Sequence, residues 1–523
     1  MKLIVCVTVW LLCAAGVAQA AIDPAVVKPL AGSDADARVA AVAQIAAIGN
    51  DDARQLLQAM KDDTLVVSPA GQTRILAAGA DAPAGFEAIV VNNRLRSALD
   101  GALAGLALLS PERAARMAAA VALQEKALDP IQAPLLRAAL ARETDAQIKA
   151  ILHTLVATVD LQAPQAPVRA AAARSLAGSG NAALRPLLQA LLDKGPDGTF
   201  LEADDKVRAA AAATLREIDS RIARAEFVGK LFYGISLGSV LLLAALGLAI
   251  TFGLMGIINM AHGELLMIGA YTTYVCQSIF RAYLPGALDW YLVAALPAAF
   301  IVAGVVGMIL ERTVIRWLYG RPLETLLATW GISLMLMQTV RTIFGAQNVE
   351  VANPSWMSGG VTVMGSLVLS YNRIVIIIFA FVVVFAVWLL LNKTRLGLFV
   401  RAVMQNRRMA DCVGVPTARI DMLTFGLGSG IAGLGGVALS QLGNVGPDLG
   451  QAYIVDSFMV VVLGGVGQLA GTVVAAVGLG EVNKFLEPFA GAVMAKISIL
   501  VFIIIFIQRR PQGLFAMKGR SVE

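Results

Sequence analysis

The chain has 523 residues, 58% of them hydrophobic and 15% charged, and a mean hydropathy of +0.73, which excludes an ordinary water-soluble globular protein. Its net charge of +6 does not point to nucleic acid, because much of the basic excess sits in short loops beside apolar runs, where it sets membrane orientation. Its four cysteines offer neither a disulfide framework nor a metal-ligand cluster, and no cofactor is expected.

Residues 1–20 read as an export signal: Lys2, an apolar run from Leu3 to Val17, and the small-x-small site Ala18-Gln19-Ala20, so that mature protein begins near Ala21. A lipoprotein anchor at Cys13 is disfavoured by Leu12 before it, and an uncleaved anchor stays open. Cys6 and Cys13 leave with a cleaved signal, and only Cys276 and Cys412 remain.

Residues 21–226 are Ala-rich and helical in pattern, with regular Arg and Asp and no run apolar enough to cross a bilayer. They contain a repeat. "RVAAVAQIAAIGNDDARQLLQAM" from Arg38 and "RAAAARSLAGSGNAALRPLLQAL" from Arg169 place Gly-Asn (Gly49-Asn50, Gly180-Asn181) and Leu-Leu-Gln-Ala (Leu56–Ala59, Leu187–Ala190) at the same intervals. A third fragment starts at Val207 and repeats the Arg-to-Leu spacing. Helix, Gly-Asn stop and second helix form the unit of an α-solenoid, whose apolar stripe is buried only by the next unit. The pattern resembles HEAT-like repeats, with an irregular helical bundle as the alternative. His153 reads as a surface or packing residue rather than a ligand.

Residues 227–523 are expected to be membrane-embedded, with apolar spans near 233–256, 262–280, 290–315, 323–345, 373–392, 418–440, 452–484 and 491–508. The fold class expected is therefore all-α: a polytopic helical membrane protein with an exported α-helical repeat domain at its N-terminus. Basic loops at 311–322 and 392–408 and the tail 508–520 are expected on the cytoplasmic side. Those placements agree only if region 452–484 returns to the side it entered from. "GGVGQLAGT" (464–472) supplies the break, which makes Gly464, Gly465 and Gly467 candidates for the transport pathway, with close helix packing as the alternative.

The densest polar cluster near a span is "GIINMAHGELLMIGAY" (256–271), with Asn259, His262 and Glu264 within six residues. Charge at membrane depth costs about 2.5–3.5 kcal/mol, so these side chains must face the protein interior, a cavity or the interface. Two roles stay open, fixing a helix break by hydrogen bonds or forming a pathway or gate. One His and one Glu are too few for a metal site. Glu324, Thr329, Ser333 and Gln338 read either as lining of a polar route or as interhelical glue.

"RAVMQNRRMADCVGVPTARI" (401–420) is too polar to cross and too amphipathic for a plain linker. Val400, Val403, Met404, Ala410 and Val413 recur at helical spacing, Arg401, Gln405, Arg408 and Asp411 occupy the opposite face, Gly414 suits a C-terminal cap and Pro416 ends the helix. A surface helix presenting one face to the bundle and the other to a partner is expected.

"GLAITFGLMGIINMAHGELLMIGAY" (247–271), "RAVMQNRRMADCVGV" (401–415), "VVVLGGVGQLAGTVV" (460–474) and "RRPQGLF" (509–515) together resemble, in order, the signatures of the branched-chain amino acid type of ABC transporter permease. The resemblance covers 227–515. It implies an all-helical inner-membrane subunit that pairs with a second homologous permease, two cytoplasmic ATPases and a periplasmic solute-binding protein. By the same resemblance Arg401, Gln405, Asn406, Arg407, Arg408, Ala410 and Gly414 belong to the loop that couples to the ATPase, with Arg407 and Arg408 meeting its carboxylates and Ala410 and Gly414 allowing close helix approach. The chain has no G-x-x-x-x-G-K-[ST] phosphate loop of its own. Its long exported front half resembles that of the first permease subunit of urea transporters in this family, which implies urea or a short amide as solute. Branched-chain amino acid import, a passive urea channel or secondary carrier, and a receptor are the alternatives.

Overall fold

A computed structural model describes residues 22–515 except 33, 78–82, 84, 125–131 and 365–366. The expected signal segment, with Cys6 and Cys13, lies outside the described residues. The chain divides into two compact units, Met1–Ile222 and Ala223–Glu523, and the boundary falls inside one long helix.

The N-terminal unit contains α1 (Pro24–Val27), α2 (Ala35–Ile48), α3 (Asp51–Lys61), strands β1 (Leu65–Val67), β2 (Thr73–Ile75) and β3 (Glu87–Ala88), then α4 (Asn93–Ala107), α5 (Arg113–Gln124), α6 (Ala133–Arg142), α7 (Ala146–Asp160), α8 (Ala166–Ser175) and α9 (Leu184–Ala190). The strands form an antiparallel sheet in the order β2-β1-β3, pairing Val66 with Arg74 and with Ala88. The unit is helical as expected apart from this small sheet, whose strands of two and three residues are too short to show an alternating pattern. Buried Ile45, Leu56, Leu57, Leu65 and Leu99 join α2, α3, β1 and α4 in one core.

The Gly-Asn stop works as a pair of caps. Gly49 is left-handed (φ 71°) at the end of α2, and the Asn50 side chain accepts from the Ala53 N–H at 2.8 Å to start α3. In the second copy Asn181 accepts from Ala183 N–H at 2.9 Å ahead of α9. The repeated arginine has its own geometry. Arg38, Arg116, Arg169 and Arg208 each donate to the carbonyl six residues earlier, Gly32 (2.6 Å), Ser110 (3.1 Å), Ala163 (2.8 Å) and Glu202 (2.5 Å). Arg116 is a copy that the sequence alignment of repeats misses.

Two of these arginines also hold a buried carboxylate from a later Glu-x-Asp triplet. Arg116 grips Glu143 at 2.8 and 3.2 Å, and Arg169 grips Glu202 at 2.8 Å with two nitrogens. Each glutamate accepts the N–H of the aspartate two residues on, and that aspartate caps the next helix. The adjoining guanidinium, helped by backbone N–H groups, holds both carboxyls below their ordinary value of 4.5 despite burial. A lowered folded pKa stabilises the fold above the ordinary value, and the stabilisation is lost as pH falls through the folded pKa.

In the second unit, α10 (Asp205–Met255), α11 (His262–Tyr283), α12 (Tyr291–Thr313), α13 (Pro322–Phe344), the β4–β5 hairpin (Gly360–Val363, Leu367–Ser370) and α14 (Tyr371–Lys393) precede α15 (Arg395–Gln405) and α16 (Arg407–Cys412). Then come α17 (Thr417–Ser440), α18 (Leu449–Gly464) and α19 (Leu469–Arg509), which reverses at Gly491 (φ 77°) so that its two halves pack against each other. Six of the described helices are long and apolar enough to cross a membrane, and α18 is a shorter apolar helix.

Helix α17 is largely enclosed, second to α10 among these, and small residues explain how. A Cβ at Gly428 would stand 2.7 Å from the Gly247 carbonyl of α10, one at Gly433 2.6 Å from the Ala299 carbonyl of α12, and one at Gly436 2.7 Å from the Ala270 nitrogen of α11. Three helices thus approach α17 at backbone distance.

Gly436→Val is expected to force α11 and α17 apart at a cost of about 1–3 kcal/mol, read as a lower unfolding temperature in detergent. For the N-terminal unit, Glu202→Gln is expected to cost about 2 kcal/mol locally, seen as amide exchange accelerated roughly thirtyfold across 166–222, whereas unchanged exchange would show the clasp to be dispensable.

Candidate functional site

Helix α10 ends at Met255, and Gly256 (φ 64°) turns the chain back into the bundle. The Asn259 side chain accepts the Ala261 N–H at 3.0 Å, while the Asn259 carbonyl accepts the His262 N–H at 3.4 Å. Thr329 of α13 accepts the Met260 N–H at 3.1 Å. His262 Nε2 donates to the Ala244 carbonyl at 2.9 Å, level with the middle of the apolar part of α10. Asn259, His262 and Thr329 therefore hold a broken backbone that starts α11 inside the bundle, where it would otherwise leave polar groups unsatisfied.

The second break runs the other way. Helix α17 lies antiparallel to α10, with Gly428 near Gly247 and Gly435 near Ala244. It ends at Ser440, and residues 441–448 return along the 345–352 segment, where Val445 and Val349 exchange backbone hydrogen bonds of 2.8 and 2.9 Å. Tyr291 donates to the Ala352 carbonyl (2.7 Å) and to Gln441 (3.2 Å), and Asn372 donates to the Gln441 carbonyl (3.2 Å). Helix α18 then begins at Leu449. Gly450 meets Gly263 at the start of α11, so closely that a Cβ at Gly263 would stand 2.5 Å from the Gly450 carbonyl. Two helix-break-helix units of opposite direction thus meet at the N-termini of their second helices, the arrangement of an inverted repeat built on discontinuous helices.

Glu264 sits in the first turn of α11 and is 1% exposed. Ser333 of α13 donates to its Oε1 at 2.9 Å, while Oε2 has no partner. Nor do Asn259 Nδ2, His262 Nδ1 or the Tyr271 hydroxyl. Asp448 lies two residues before Gly450, whose Cβ would stand 2.9 Å from the Glu264 nitrogen, so the start of α18 brings a second carboxyl group beside Glu264. Sequence reasoning missed Tyr271 and Asp448. The first was legible, being seven residues from Glu264 and so two turns along the same helix face. The second arrives only through the fold.

The loop 401–420 is not one helix. Asn406 closes α15 and opens α16, its extended backbone (φ −156°) breaking the run and its side chain accepting the Met409 N–H at 3.0 Å. Gly414 (φ 86°) ends α16 in a double bond pattern, with Gly414 N–H on the Asp411 carbonyl and Val415 N–H on the Ala410 carbonyl, both 3.0 Å. A Cβ at Gly414 would meet nothing within 4 Å, so its backbone angle, not close helix approach, calls for glycine.

Val400, Val403 and Ala410 are buried, but Val413 is 75% exposed beside exposed Met409, which corrects its placement on the inner face. Arg407, itself exposed, is ion-paired with buried Asp421 and stacked over the Tyr319 ring at 4.6 Å. Tyr319 in turn donates to Glu311 at 3.1 Å. Exposed Arg401 donates to Asn392 at 3.2 Å, Gln405 is exposed, and exposed Arg408 has no partner among the described residues.

Gly464, Gly465 and Gly467 form the α18–α19 turn and do not join the Glu264 cluster. Leu514 and Phe515 N–H groups donate to the Leu463 and Gly464 carbonyls at 2.8 and 3.3 Å, and Gly467 packs on Gly253 and on Met404 of α15. The turn is covered by the chain's own C-terminal segment and adjoins α15. Glu324 is likewise away from the cluster, exposed and paired with Arg321 at 3.1 Å. Among the described residues no group of His, Cys, Asp and Glu could hold a metal ion.

A family model described as Branched-chain amino acid transport system / permease component matches residues 230–508. The chain is similar to the high-affinity branched-chain amino acid transport system permease protein BraD of Pseudomonas aeruginosa, 29% identical over 55% of this chain and 95% of that protein. It is similar to the corresponding protein LivH of Escherichia coli K12, 28% identical over 55% and 95%. A shorter stretch, 20% of this chain and 35% of the relative, is 30% identical to the ribose import permease protein RbsC of the same strain. No solved structure matches. The match, together with a bundle of membrane-length helices interrupted by paired breaks, places the chain in the family of branched-chain amino acid transport system permease components, the multi-pass, non-enzymatic inner-membrane subunits of ABC transporters.

Proposed function

We propose that this chain is one permease half of an ATP-driven importer for urea or a similarly short amide. The observation that carries the solute is architectural: the permease region, matched from residue 230, follows a long repeat-containing unit behind a signal-like segment, as in urea permeases of the family. Family membership brings ATPase and solute-binding partners. The arrangement proposed is a second homologous permease beside this one, two ATPases on the cytoplasmic side and the binding protein on the periplasmic side, with the N-terminal unit periplasmic and the C-terminus cytoplasmic. Basic residues of 311–322, 392–408 and 508–515 then share the cytoplasmic side.

In this reading Asn259, His262 and Glu264 belong to the pathway or gate, while α15 and α16 seat in the ATPase. Met409, Val413 and Arg408 form the exposed contact, Arg401, Gln405 and Asn406 its flank, and Arg407 with Ala410 and Gly414 holds the loop's shape. The Gly464–Gly467 turn, itself covered by the C-terminal segment, meets α15 at Met404, which ties ATPase movement to α18 and α19. The names of the relatives favour a second reading, import of branched-chain amino acids by the same mechanism.

Deleting this chain is expected to abolish ATP-driven uptake of labelled urea and to spare that of labelled leucine; loss of leucine uptake alone would establish the second reading, and solute flux through the purified chain without ATPases would establish a passive carrier. Arg408→Glu is expected to weaken ATPase co-purification about tenfold with the chain's own thermal stability unchanged. Arg407→Ala, which strands the buried Asp421 carboxylate, is expected to lower that stability first.

A further inference from the structure

We propose that Glu264, Ser333, Tyr271 and Asp448 form a solute-recognition station that takes a small neutral amide through its N–H groups and rejects a free carboxylate. The proposal rests on the importer reading above and supplies the chemistry that separates its two candidate solutes.

Three segments contribute one residue or two each. Glu264 and Tyr271 stand two turns apart on α11, Ser333 comes from α13, and Asp448 precedes α18 where the two inverted halves meet at Gly263 and Gly450. The glutamate is committed on one oxygen only, to Ser333. Its other oxygen and the Tyr271 hydroxyl are buried, 1% and 3% exposed by residue, and unpartnered. Leaving such groups unpaired costs about 1–3 kcal/mol each, a cost that persists in a native structure where a ligand satisfies them. Asp448 is exposed and lies two residues before Gly450, whose Cβ would stand 2.9 Å from the Glu264 nitrogen, which brings a second carboxyl group beside the first.

The inventory of this cluster is rich in acceptors. It offers two carboxylates, and its free donor is the Tyr271 hydroxyl, with Ser333 spent on Glu264. A urea-type amide has the complementary set, four N–H donors and one carbonyl acceptor. An α-amino acid brings a carboxylate, and among the described residues no lysine or arginine pairs with Glu264 or Asp448 to receive it. Exposed Asp448 repels a solute carboxylate, and buried Glu264 offers it no cation to pair with. A site that selects by hydrogen bonds discriminates strongly against a solute that cannot complete them.

The test uses the assembled transporter, this chain with its permease partner, ATPases and binding protein, reconstituted in liposomes and driven by ATP. Glu264→Gln, Tyr271→Phe and Asp448→Asn are each expected to raise the KM for urea about tenfold or more while ATPase co-purification stays intact. They are also expected to narrow the discrimination between urea and its N,N′-dimethyl derivative, which lacks two of the donors. A purely structural role would lower the amount of assembled complex and leave KM and discrimination alone. If Glu264→Gln does not assemble, Asp448→Asn, at an exposed position, carries the test. Unchanged KM and discrimination in assembled variants of a urea-transporting complex would overturn the station and leave the function standing. Wild-type transport of leucine without urea would instead overturn the substrate reading and this station with it.

Discussion

Everything in the membrane unit depends on helix α17 being packed at backbone distance on three sides. Lipid tails are as apolar as leucine, so no hydrophobic force gathers these helices as it would in water, and dispersion contacts between closely approaching backbones must do it. Glycines at 428, 433 and 436 admit α10, α12 and α11 respectively. With α10 and α11 both fixed against α17, the short loop between them has no room to complete a full crossing. It must turn inside the bundle, and the start of α11 is drawn to the level of Ala244.

That geometry explains the polar residues. Backbone broken inside an apolar bundle needs partners, and Asn259, His262 and Thr329 supply them to residues 258–262. The matching break at 441–448 is held by Val349, Tyr291 and Asn372. Thr329, Tyr291 and Asn372 spend their polar groups on backbone, whereas Asn259, His262, Glu264 and Tyr271 each retain one unused polar atom. In the N-terminal unit Arg116 and Arg169 spend their donors on glutamates and on carbonyls, so that clasp is architecture.

The loop between α14 and α17 follows the same logic of spent and unspent groups. Arg407 is bound to Asp421 and covers Tyr319, which fixes α16 to the bundle, while Met409 and Val413 are exposed and exposed Arg408 has no partner among the described residues. Adjacent arginines of identical chemistry divide the work because a helix turns about 100° per residue. Gly467 against Met404 joins this loop to the α18–α19 turn, so a displacement of α15 is felt at the base of the helix whose other end meets Gly263.

The sequence by itself determined the class of the molecule, the approximate membrane spans, the Arg-and-Asn repeat of the front half, the polar cluster at 259–264 and the amphipathic loop at 401–415, since hydropathy, helical spacing and caps are properties of neighbouring residues. Local caps such as Asn50 and Gly414 were legible for the same reason. What only the tertiary structure decided was pairing: that Asp448 comes beside Glu264 across 184 positions, that Arg407 pairs with Asp421, that Val413 turns outward, and that the glycines of 464–467 lie under the C-terminal segment. Those outcomes depend on which helices approach α17 closely. Glycine announces that two backbones meet without saying which, because a missing side chain carries no chemistry by which to recognise its partner.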